Sequence, residues 1–440
     1  MNEMMEDHPC FSVSARHRSG RIHIPVASKC NIQCNYCNRK YDCANESRPG
    51  VTSVLLDPNQ AMTYLDSVFA RVDNIAVIGI AGPGDPMAEP EATLRTMELA
   101  SEKYPDKILC LATNGLNLPD YVDRIAALNI SHVTITMNAI EPAIIEKIYA
   151  WIRFGNRVLR GVDGANFLFE RQVEAIRKLK SKNIIVKINT VVVPEINDSH
   201  VVDVAKLCGE LGADVQNCIA MIPVEGTAFS NRVSPTTESM ERIRQEAGKF
   251  IPQMTHCSRC RSDSVGLLGE DNGSDLAELL RAAAVVKTTS ARPNVAVATR
   301  EGMFVNRHLG ETASLFVFGK RDNKIVLIEQ RPTPPPGSGD ARWEKLAADF
   351  NDCAAILVNG CGQSPLRVLE KSGLRVIVLE GLISESVPCI FAGNCLPKIL
   401  LRTPGVCGSG CDTSRNGSRG MLRNSCGAGS MCGGRGDGCG

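Results

Sequence analysis

The chain has 440 residues, with 49 lysines and arginines against 48 acidic residues. Its net charge of +1 excludes a bulk electrostatic partner such as nucleic acid, and no apolar run approaches the length of a membrane-spanning helix. The 19 cysteines, in a chain whose polar N-terminus shows no export signal, predict metal chemistry in the reducing cytoplasm. The length allows two or three domains.

Short β-branched runs alternate with amphipathic helical stretches from residue 21 to about residue 250. This alternation predicts parallel strands joined by helices, and six repeats fit a partial (β/α)6 barrel rather than a full eightfold one. In that fold, residues at the carboxyl ends of the strands form the active site. The predicted strands cover residues 21–27, 75–80, 107–112, 132–137, 184–189 and 215–221, and one intervening helix covers 121–128.

Residues 294–392 are predicted to form a second, small α/β domain, because about 100 residues suffice for an independent fold. Residues 266–293 are polar and then alanine-rich, which predicts a linker after the barrel unit, 1–265. From residue 393 to 440 the chain is rich in glycine and cysteine and cannot bury a core, which predicts disorder. The predicted strands of the small domain cover 295–299, 314–318, 324–329, 354–359 and 374–380, and its helices 342–350 and 364–371.

Cys30, Cys34 and Cys37 form a Cys-x3-Cys-x2-Cys triplet directly after the first predicted strand. Thiolates are the ligands that iron–sulfur clusters prefer, and three in one short loop can hold three irons of a four-iron cluster. The fourth iron then stays open to a substrate or cofactor. A zinc knuckle would need a fourth close ligand, and a disulfide framework is unusual in a long chain without an export signal.

Six further potential metal ligands lie outside the triplet. Each is a weak signal alone, because a single cysteine in a strand is usually a small buried hydrophobe and a lone Cys-x2-Cys is often a zinc or redox site. Together they could supply three ligands to each of two further clusters. They are His8, Cys10, Cys43, Cys110, Cys257 and Cys260.

The triplet, with Tyr36 before its third cysteine, resembles the radical S-adenosylmethionine (SAM) enzymes, in which the open iron binds SAM. The stretch from about residue 8 to 265 resembles, more specifically, the NifB family of nitrogenase cofactor biosynthesis proteins. The small domain, through Asn306–Gly310 and Leu357–Gly360, resembles the NifX-type domain, which is ribonuclease H-like. The motifs shared with the NifB family are His8-Pro9-Cys10, the segment Cys30–Cys43, Glu46-Ser47-Arg48-Pro49-Gly50, Gly82-Pro83-Gly84-Asp85-Pro86, Thr113-Asn114-Gly115 and the pair Cys257 and Cys260.

The resemblance implies a radical SAM enzyme that fuses two [4Fe-4S] clusters into an [8Fe-9S-C] precursor whose central carbide comes from SAM. It implies that the triplet holds the [4Fe-4S] cluster that cleaves SAM. Delivery to the scaffold NifE–NifN, with the carrier NifX and iron–sulfur assembly proteins as further partners, also follows from the family. We assign His8, Cys10 and Cys43 to one substrate cluster, and Cys110, Cys257 and Cys260 to the other.

Residues after the second and third strands, and one within the fifth, are expected to contact SAM. Small residues after the second strand would let a backbone edge approach the SAM amino group, although an ordinary turn explains them too. The polar residues could equally be satisfied core groups. The expected contacts are Gly82, Pro83, Gly84, Asp85, Thr113, Asn114 and Asn189.

Glu46 and Arg48 follow Cys43 closely and could assist proton or sulfur delivery, although a surface ion pair explains them nearly as well. Two other functions fit the same residues. A radical SAM enzyme with auxiliary clusters could modify a peptide or small molecule, but such enzymes usually carry a longer cysteine array after the barrel. A non-catalytic iron–sulfur carrier would not need the SAM-binding elements.

Overall fold

A computed structural model describes residues 7–45, 51–52, 54–270, 272–273, 275–337, 339–394, 396 and 400–401. These residues form two α/β units. The strands of the N-terminal unit are β1 (Gly20–His23), β2 (Ile32–Cys34), β3 (Ile75–Ile80), β4 (Ile108–Thr113), β5 (Ile130–Thr136), β6 (Tyr149–Phe154), β7 (Arg157–Leu159), β8 (Ile185–Val192), β9 (Val215–Ala220) and β10 (Val265–Gly266). Its helices are α1 (Pro58–Phe69), α2 (Pro90–Lys103), α3 (Val122–Ala127), α4 (Pro142–Ile148), α5 (Gly161–Ser181), α6 (Val201–Glu210), α7 (Thr237–Ala247) and α8 (Ala277–Ala284).

A seven-stranded sheet in the order β10-β1-β3-β4-β5-β8-β9 curls into a half-barrel. The six predicted strands are present and run parallel, whereas β10 pairs antiparallel with β1 at the edge. Side chains alternate along a strand, so Leu109 and Leu111 of β4 pack in the core formed with the helices while Cys110 faces the barrel interior. The predicted partial barrel is confirmed.

A separate sheet supports the cysteine triplet. Strand β2, which carries Cys34, pairs antiparallel with β6, and β6 pairs with β7. None of these three strands is among those predicted. Two of them span only three residues each, and the buried positions of β6 recur every third residue instead of alternating.

The segment 266–293, predicted as a linker, is partly built into the barrel unit. Helix α8 packs against α1, and Leu276, Leu280 and Ala283 are buried in the same core as the barrel helices. The amide of Gln60 donates to the carbonyl oxygen of Ala284 at 2.7 Å. Alanine-rich helices bury little apolar area per residue, so their sequence pattern is weak.

The C-terminal unit is a mixed sheet in the order β14-β13-β11-β15-β16, with an apolar core on each face. Its predicted strands and helices are present, whereas β12, β17 and α11 were not predicted. The strands are β11 (Asn294–Val297), β12 (Phe304–Val305), β13 (Ser314–Arg321), β14 (Lys324–Pro332), β15 (Cys353–Val358), β16 (Arg375–Val378) and β17 (Gly381–Leu382). The helices are α9 (Asp340–Asp349), α10 (Gln363–Lys371) and α11 (Ile383–Ala392).

An ion pair joins residues of the two units. Arg375 of β16 binds the carboxylate of Asp57, which also caps α1 by accepting hydrogen bonds from the amides of Asn59 and Gln60 at 3.0 Å. Residues 402–440, which include most of the predicted tail and five of its six cysteines, lie outside the described residues. Within the described part of the chain, no helix combines the length and apolar character needed to span a membrane.

Candidate functional site

The cysteine triplet lies in the loop that follows β1, near the carboxyl ends of the barrel strands. Cys34 ends β2 and is buried, whereas Cys30 and Cys37 are partly buried. The Gln33 side chain holds the loop together, because its Nε2 donates to the carbonyl oxygens of Cys34 at 3.0 Å and Cys37 at 2.7 Å. Local hydrogen bonds therefore hold the backbone of Cys34 and Cys37 in one turn.

Burial keeps the three thiols protonated in the metal-free protein. It raises the pKa of Cys30 to about 12, raises the pKa of Cys34 well above that of an ordinary thiol, and raises the pKa of Cys37. The thiolate is the form that binds iron, so iron must displace these protons. Three soft donors in a sheltered loop fit a four-iron cluster that leaves one iron open.

Tyr36 ties the triplet loop to the barrel through its hydroxyl. This hydroxyl donates to Asn45 Oδ1 at 2.5 Å and accepts from Asn138 Nδ2 at 2.7 Å. Asn138, which follows β5, also donates to the Tyr149 hydroxyl at 2.9 Å. The aromatic residue was visible in the sequence as part of the motif, whereas nothing in the sequence marked Asn138.

The loop after β3 runs against the start of the triplet loop. The amide of Gly84 donates to the carbonyl oxygen of Ala27 at 2.6 Å, and the amide of Asp85 donates to that of Lys29 at 2.7 Å. A Cβ atom on Gly84 would lie 2.1 Å from the Lys29 carbonyl oxygen. Only glycine allows this approach of two backbones.

Gly82 and Pro83, also expected to contact SAM, support that loop. The Gly82 carbonyl oxygen accepts from the amide of Ala27 at 3.3 Å, and Pro83 forms a parallel bridge with Ala27. A Cβ atom on Gly82 would lie 2.3 Å from Ser262 Oγ, so the segment after the barrel strands also packs against this turn. Neither residue is among those that line the nearby cavity.

The Asp85 carboxylate joins the ends of β3 and β4. Its Oδ1 accepts from Thr113 Oγ1 at 2.8 Å and from the amide of Met87 at 2.9 Å, and its Oδ2 accepts from the amide of Asn114 at 2.6 Å. Burial raises the pKa of Asp85, and these hydrogen bonds oppose that shift. Both carboxylate oxygens are engaged by the protein, so Asp85 positions its neighbours.

Asn114 reaches back to the triplet loop. Its Nδ2 donates to Asn31 Oδ1 at 2.7 Å and lies 3.9 Å from Cys30 Sγ. Asn189 of β8 pairs with Thr136, and its Nδ2 donates to the Asn45 carbonyl oxygen at 3.1 Å, so it supports two residues of the cavity wall. Asn114 therefore borders the triplet, whereas Asn189 supports the segment that follows Cys43.

A cavity with about 440 Å³ of empty space opens beside the triplet. Arg39, which was not predicted as a site residue, lines it, and its guanidinium donates to the Ser28 carbonyl oxygen at 3.1 Å. The guanidinium of Arg39 and the polar strand ends can bind the charged groups of a zwitterionic ligand, whereas the thiols suit iron. The lining includes Cys30, Cys34, Cys37, Arg39, Cys43, Gly84, Asp85, Thr113, Asn114 and Thr136.

The structure groups the outer ligands differently from the expected partition. Cys43 lines the cavity and interacts electrostatically with the triplet thiols. Cys10 instead packs against the same apolar cluster as Cys260, and burial raises its pKa to about 11. The reason is the path of the chain. Cys43 lies in the segment that continues the triplet loop, whereas the N-terminal segment with Cys10 runs toward Cys260.

Arg21 of β1 is buried against Cys260. Its Nε and Nη2 each donate to Cys260 Sγ at 3.2 Å, and Nη1 donates to the carbonyl oxygens of Gly266 and, at 2.7 Å, of Leu267. Burial raises the pKa of Cys260, and Arg21 opposes this rise because its positive charge favours the thiolate. Cys257 of the same pair is exposed.

His8 and Cys110 belong to the barrel interior. The amide of Cys10 donates to His8 Nδ1 at 3.1 Å, and the His8 ring lies 4.6 Å from that of His132. Cys110 pairs with Gly79 across β3 and β4. Among the described residues, no three His, Cys, Asp or Glu side chains are close enough to hold a single metal ion. A four-iron cluster, whose irons bind separate ligands, needs a wider spacing.

His23 is a further interior residue that the sequence reading missed. It pairs with Gly79, and a Cβ atom there would lie 3.0 Å from His23 Cδ2. The Nδ1 of His23 donates to the Arg261 carbonyl oxygen at 2.9 Å. A single histidine in a strand gives no sequence signal that its side chain faces the barrel interior.

Glu46 and Arg48, expected to assist proton or sulfur delivery, lie outside the described residues. In the C-terminal unit, Cys353 and Cys361 are buried in the apolar core.

The family model described as the radical SAM superfamily matches residues 24–208, and the model described as dinitrogenase iron-molybdenum cofactor matches residues 292–393. The chain is similar to the FeMo cofactor biosynthesis protein NifB of Chlorobaculum tepidum, at 46% identity over 94% of this chain and 99% of that protein. Identity to NifB of Klebsiella pneumoniae is 37%, over 87% of this chain and 89% of the relative. For NifB of Azotobacter vinelandii it is 36%, over 84% of each chain. Together with the thiol triplet and its cavity, these likenesses show that the chain belongs to the NifB family of FeMo cofactor biosynthesis proteins and is a radical SAM enzyme.

Proposed function

We propose that this chain fuses two [4Fe-4S] clusters into the carbide-containing [8Fe-9S-C] precursor of the nitrogenase cofactor, with SAM as carbon source and radical generator. One observation carries the proposal. The triplet cavity and a second set of thiols and imidazoles lie in the same barrel. A radical formed at the first would meet an iron–sulfur substrate at the second without leaving the barrel.

In this proposal Cys30, Cys34 and Cys37 hold the SAM-cleaving cluster. When bound, the cluster and SAM supply a methyl group and a 5′-deoxyadenosyl radical. Gly84 sets the spacing of the cavity wall, because its backbone lies directly against that of Lys29. Asn189 and the strand-end residues Gly82, Pro83, Asp85, Thr113 and Asn114 position that wall or contact SAM directly.

The six outer ligands are proposed to hold the two substrate clusters in a revised grouping. Cys10, Cys257 and Cys260 would hold one, which is supported by the packing of Cys10 and Cys260 against one apolar cluster and by the Cys-x2-Cys spacing of the other two. The second would be held by the remaining three, His8, Cys43 and Cys110. A cluster held by few protein ligands is easier to release, which suits a substrate that must be fused with a second cluster and then leave the protein.

Glu46 and Arg48 are proposed, from the sequence alone, to assist proton or sulfur delivery next to Cys43. The C-terminal unit, 294–392, is proposed to bind the cofactor precursor, which is supported by its match to the dinitrogenase iron-molybdenum cofactor model. We propose NifE–NifN, NifX and iron–sulfur assembly proteins as partners, and the cytoplasm as the place of action, because the many cysteines need a reducing compartment.

Anaerobic reconstitution with iron, sulfide, reductant and SAM tests the proposal. Both S-adenosylhomocysteine and 5′-deoxyadenosine should appear, and the product should activate nitrogenase that lacks its cofactor. Formation of 5′-deoxyadenosine alone, without a transferable cluster, would instead indicate a radical SAM enzyme that modifies a peptide or small molecule. The absence of both nucleoside products would indicate an iron–sulfur carrier.

A further inference from the structure

Cys110 and His132 are direct neighbours on adjacent parallel strands. Strands β4 and β5 pair with Cys110 opposite His132. The residues beside them, including Leu111 and Val133, are buried in the core that the sheet forms with the helices. Side chains alternate along a strand, so Cys110 and His132 both face the barrel interior at the same level.

The imidazole of His132 is fully buried, and one of its nitrogens has no hydrogen bond. Its exposed fraction is 0%, and its Nδ1 lies 2.9 Å from Ser131 Oγ. Its Nε2 has no hydrogen-bond partner among the described residues. Buried polar atoms are nearly always paired, and an exception is explained by strain, by a water, or by a ligand or ion that completes the site.

The hydrogen bonds of His132 and His8 favour different tautomers of the two rings. The Nδ1 of His8 accepts from the amide of Cys10, so a neutral His8 carries its proton on Nε2 and must give up this contact to bind a cluster. The Ser131 hydroxyl can accept a hydrogen bond from Nδ1 of His132, which leaves the Nε2 lone pair available. His132 can therefore bind a metal without breaking a contact that the structure shows.

A positively charged side chain acts on this ring. Lys187 of β8 is buried and lowers the pKa of His132. Its Nζ lies over the Phe11 ring, 5.7 Å from the ring centroid. Phe11 in turn contacts the His132 ring edge to face at 4.8 Å. The surroundings of His132 thus combine aromatic walls with a cation, which suits an iron–sulfur cluster with several thiolate ligands because such a cluster is anionic.

We propose that His132 binds, through Nε2, an iron of the substrate cluster that Cys110 holds. The inference rests on the proposed function, which supplies that cluster. Iron sites accept imidazole in place of thiolate. The bond forms by donation of the Nε2 lone pair to an iron, with no change in proton or electron count. A neutral donor can be exchanged more easily than a thiolate, which favours release of the fused product.

The test uses the full chain with Cys30, Cys34 and Cys37 replaced by Ala, so that no SAM cluster contributes to the signal. After anaerobic reconstitution with iron and sulfide and reduction, pulsed electron paramagnetic resonance measures nitrogen bound to cluster iron. His132→Cys should keep the iron content and lose one nitrogen coupling, because it supplies a thiolate at the same place. His132→Ala should lose that coupling and about half of the iron.

His17→Gln is the matched control, because His17 is exposed and should leave both readouts unchanged. His8→Gln and His23→Gln identify couplings from the two nearby rings. The proposal is overturned if all nitrogen couplings survive in His132→Cys, or if the parent shows none. Retained iron in His132→Cys also demonstrates that the buried position tolerates substitution. Since no SAM is present, failure here is distinct from failure of the proposed function, which is measured by the nucleoside products.

Discussion

The backbone of Gly84 lies so close to that of Lys29 that a Cβ atom on Gly84 would sit 2.1 Å from the Lys29 carbonyl oxygen. The contact joins the loop after β3 to the start of the triplet loop. It involves main-chain atoms on both sides, so no side-chain rotation can relieve an added methyl group. The width of the proposed SAM cavity therefore depends on one glycine.

Replacing Gly84 by Ala should separate the two loops and weaken SAM binding by about tenfold or more, or about 1.4 kcal/mol. Iron bound to the triplet should remain, because its three cysteines belong to one loop. Equilibrium binding of SAM and iron analysis measure the two effects. Gly362→Ala is the control, because its added Cβ would lie 3.7 Å from Pro365, an ordinary contact. Unchanged SAM affinity in Gly84→Ala would refute the role of this contact.

Cys43 lines the same cavity as the triplet, yet we propose that it holds a substrate cluster. Replacing it by Ala should abolish cluster coupling and leave 5′-deoxyadenosine formation detectable. Chromatography of the nucleosides, together with nitrogenase activation, separates the two activities. Cys389→Ala, in the C-terminal unit, should change neither. If both activities fall equally, Cys43 serves the SAM cluster or the fold instead.

Arg21 binds Cys260 Sγ through two N–H groups, which an ammonium group cannot reproduce together with its carbonyl contacts. Arg21→Lys should lower the free energy of unfolding of the metal-free chain by about 1–3 kcal/mol, because buried polar groups lose their partners. Iron content after reconstitution should fall as well. Urea denaturation and iron analysis provide the measurements. Arg18→Lys, at an exposed ion pair with Asp7, should stay within about 0.5 kcal/mol of the parent.

Asp57 has two separable tasks, the cap of α1 and the ion pair with Arg375. Asp57→Ser should keep the cap and lose the ion pair, so residues 285–293 between the two units should be cleaved faster in limited proteolysis. Asp57→Ala should lose both and destabilise α1 by about a further 1 kcal/mol. Identical digestion of the parent and Asp57→Ser would show that the ion pair does not hold the units together.

Arg331 lowers the pKa of Asp352 to about 2 through paired hydrogen bonds at 2.6 Å and 3.0 Å. A lowered carboxyl pKa in the folded state stabilises the fold above the unfolded value, about 3.9, and this stability is lost as the pH falls toward 2. Asp352→Asn should therefore cost about 1 kcal/mol or less, given partial exposure, at any pH from 8 to 5.

The difference between the parent and Asp352→Asn should shrink below about pH 4, where the unfolded carboxyl becomes protonated. Fluorescence of Trp343, buried in the C-terminal unit, follows urea unfolding if Trp151 is replaced by Phe in both proteins. Asp349→Asn, which affects an exposed helix pair with Lys345, should have a smaller effect. A difference that grows as the pH falls would contradict the assigned shift.

Much of the fold could be predicted because β-branched runs and helix periodicity are local properties. The strands of the barrel and their parallel order follow from alternation along the chain. The sheet formed by β2, β6 and β7 could not be predicted, since its short strands are stabilised only by pairing with each other. Helix α8 gave a weak signal because it spans only 8 residues, which is too short for a clear helical period.

By itself, the sequence determined that three thiols share one loop, because ligands separated by three and two residues stay together in almost any fold. It also identified the outer ligands, but it did not show which of them lie close together. The tertiary structure decided that Cys10 packs near Cys260, that Cys43 lies beside the triplet, and that His132 faces the interior next to Cys110. The physical reason is that such contacts depend on strand register and on the path of the N-terminal segment, and neither is encoded in the spacing of residues along the chain.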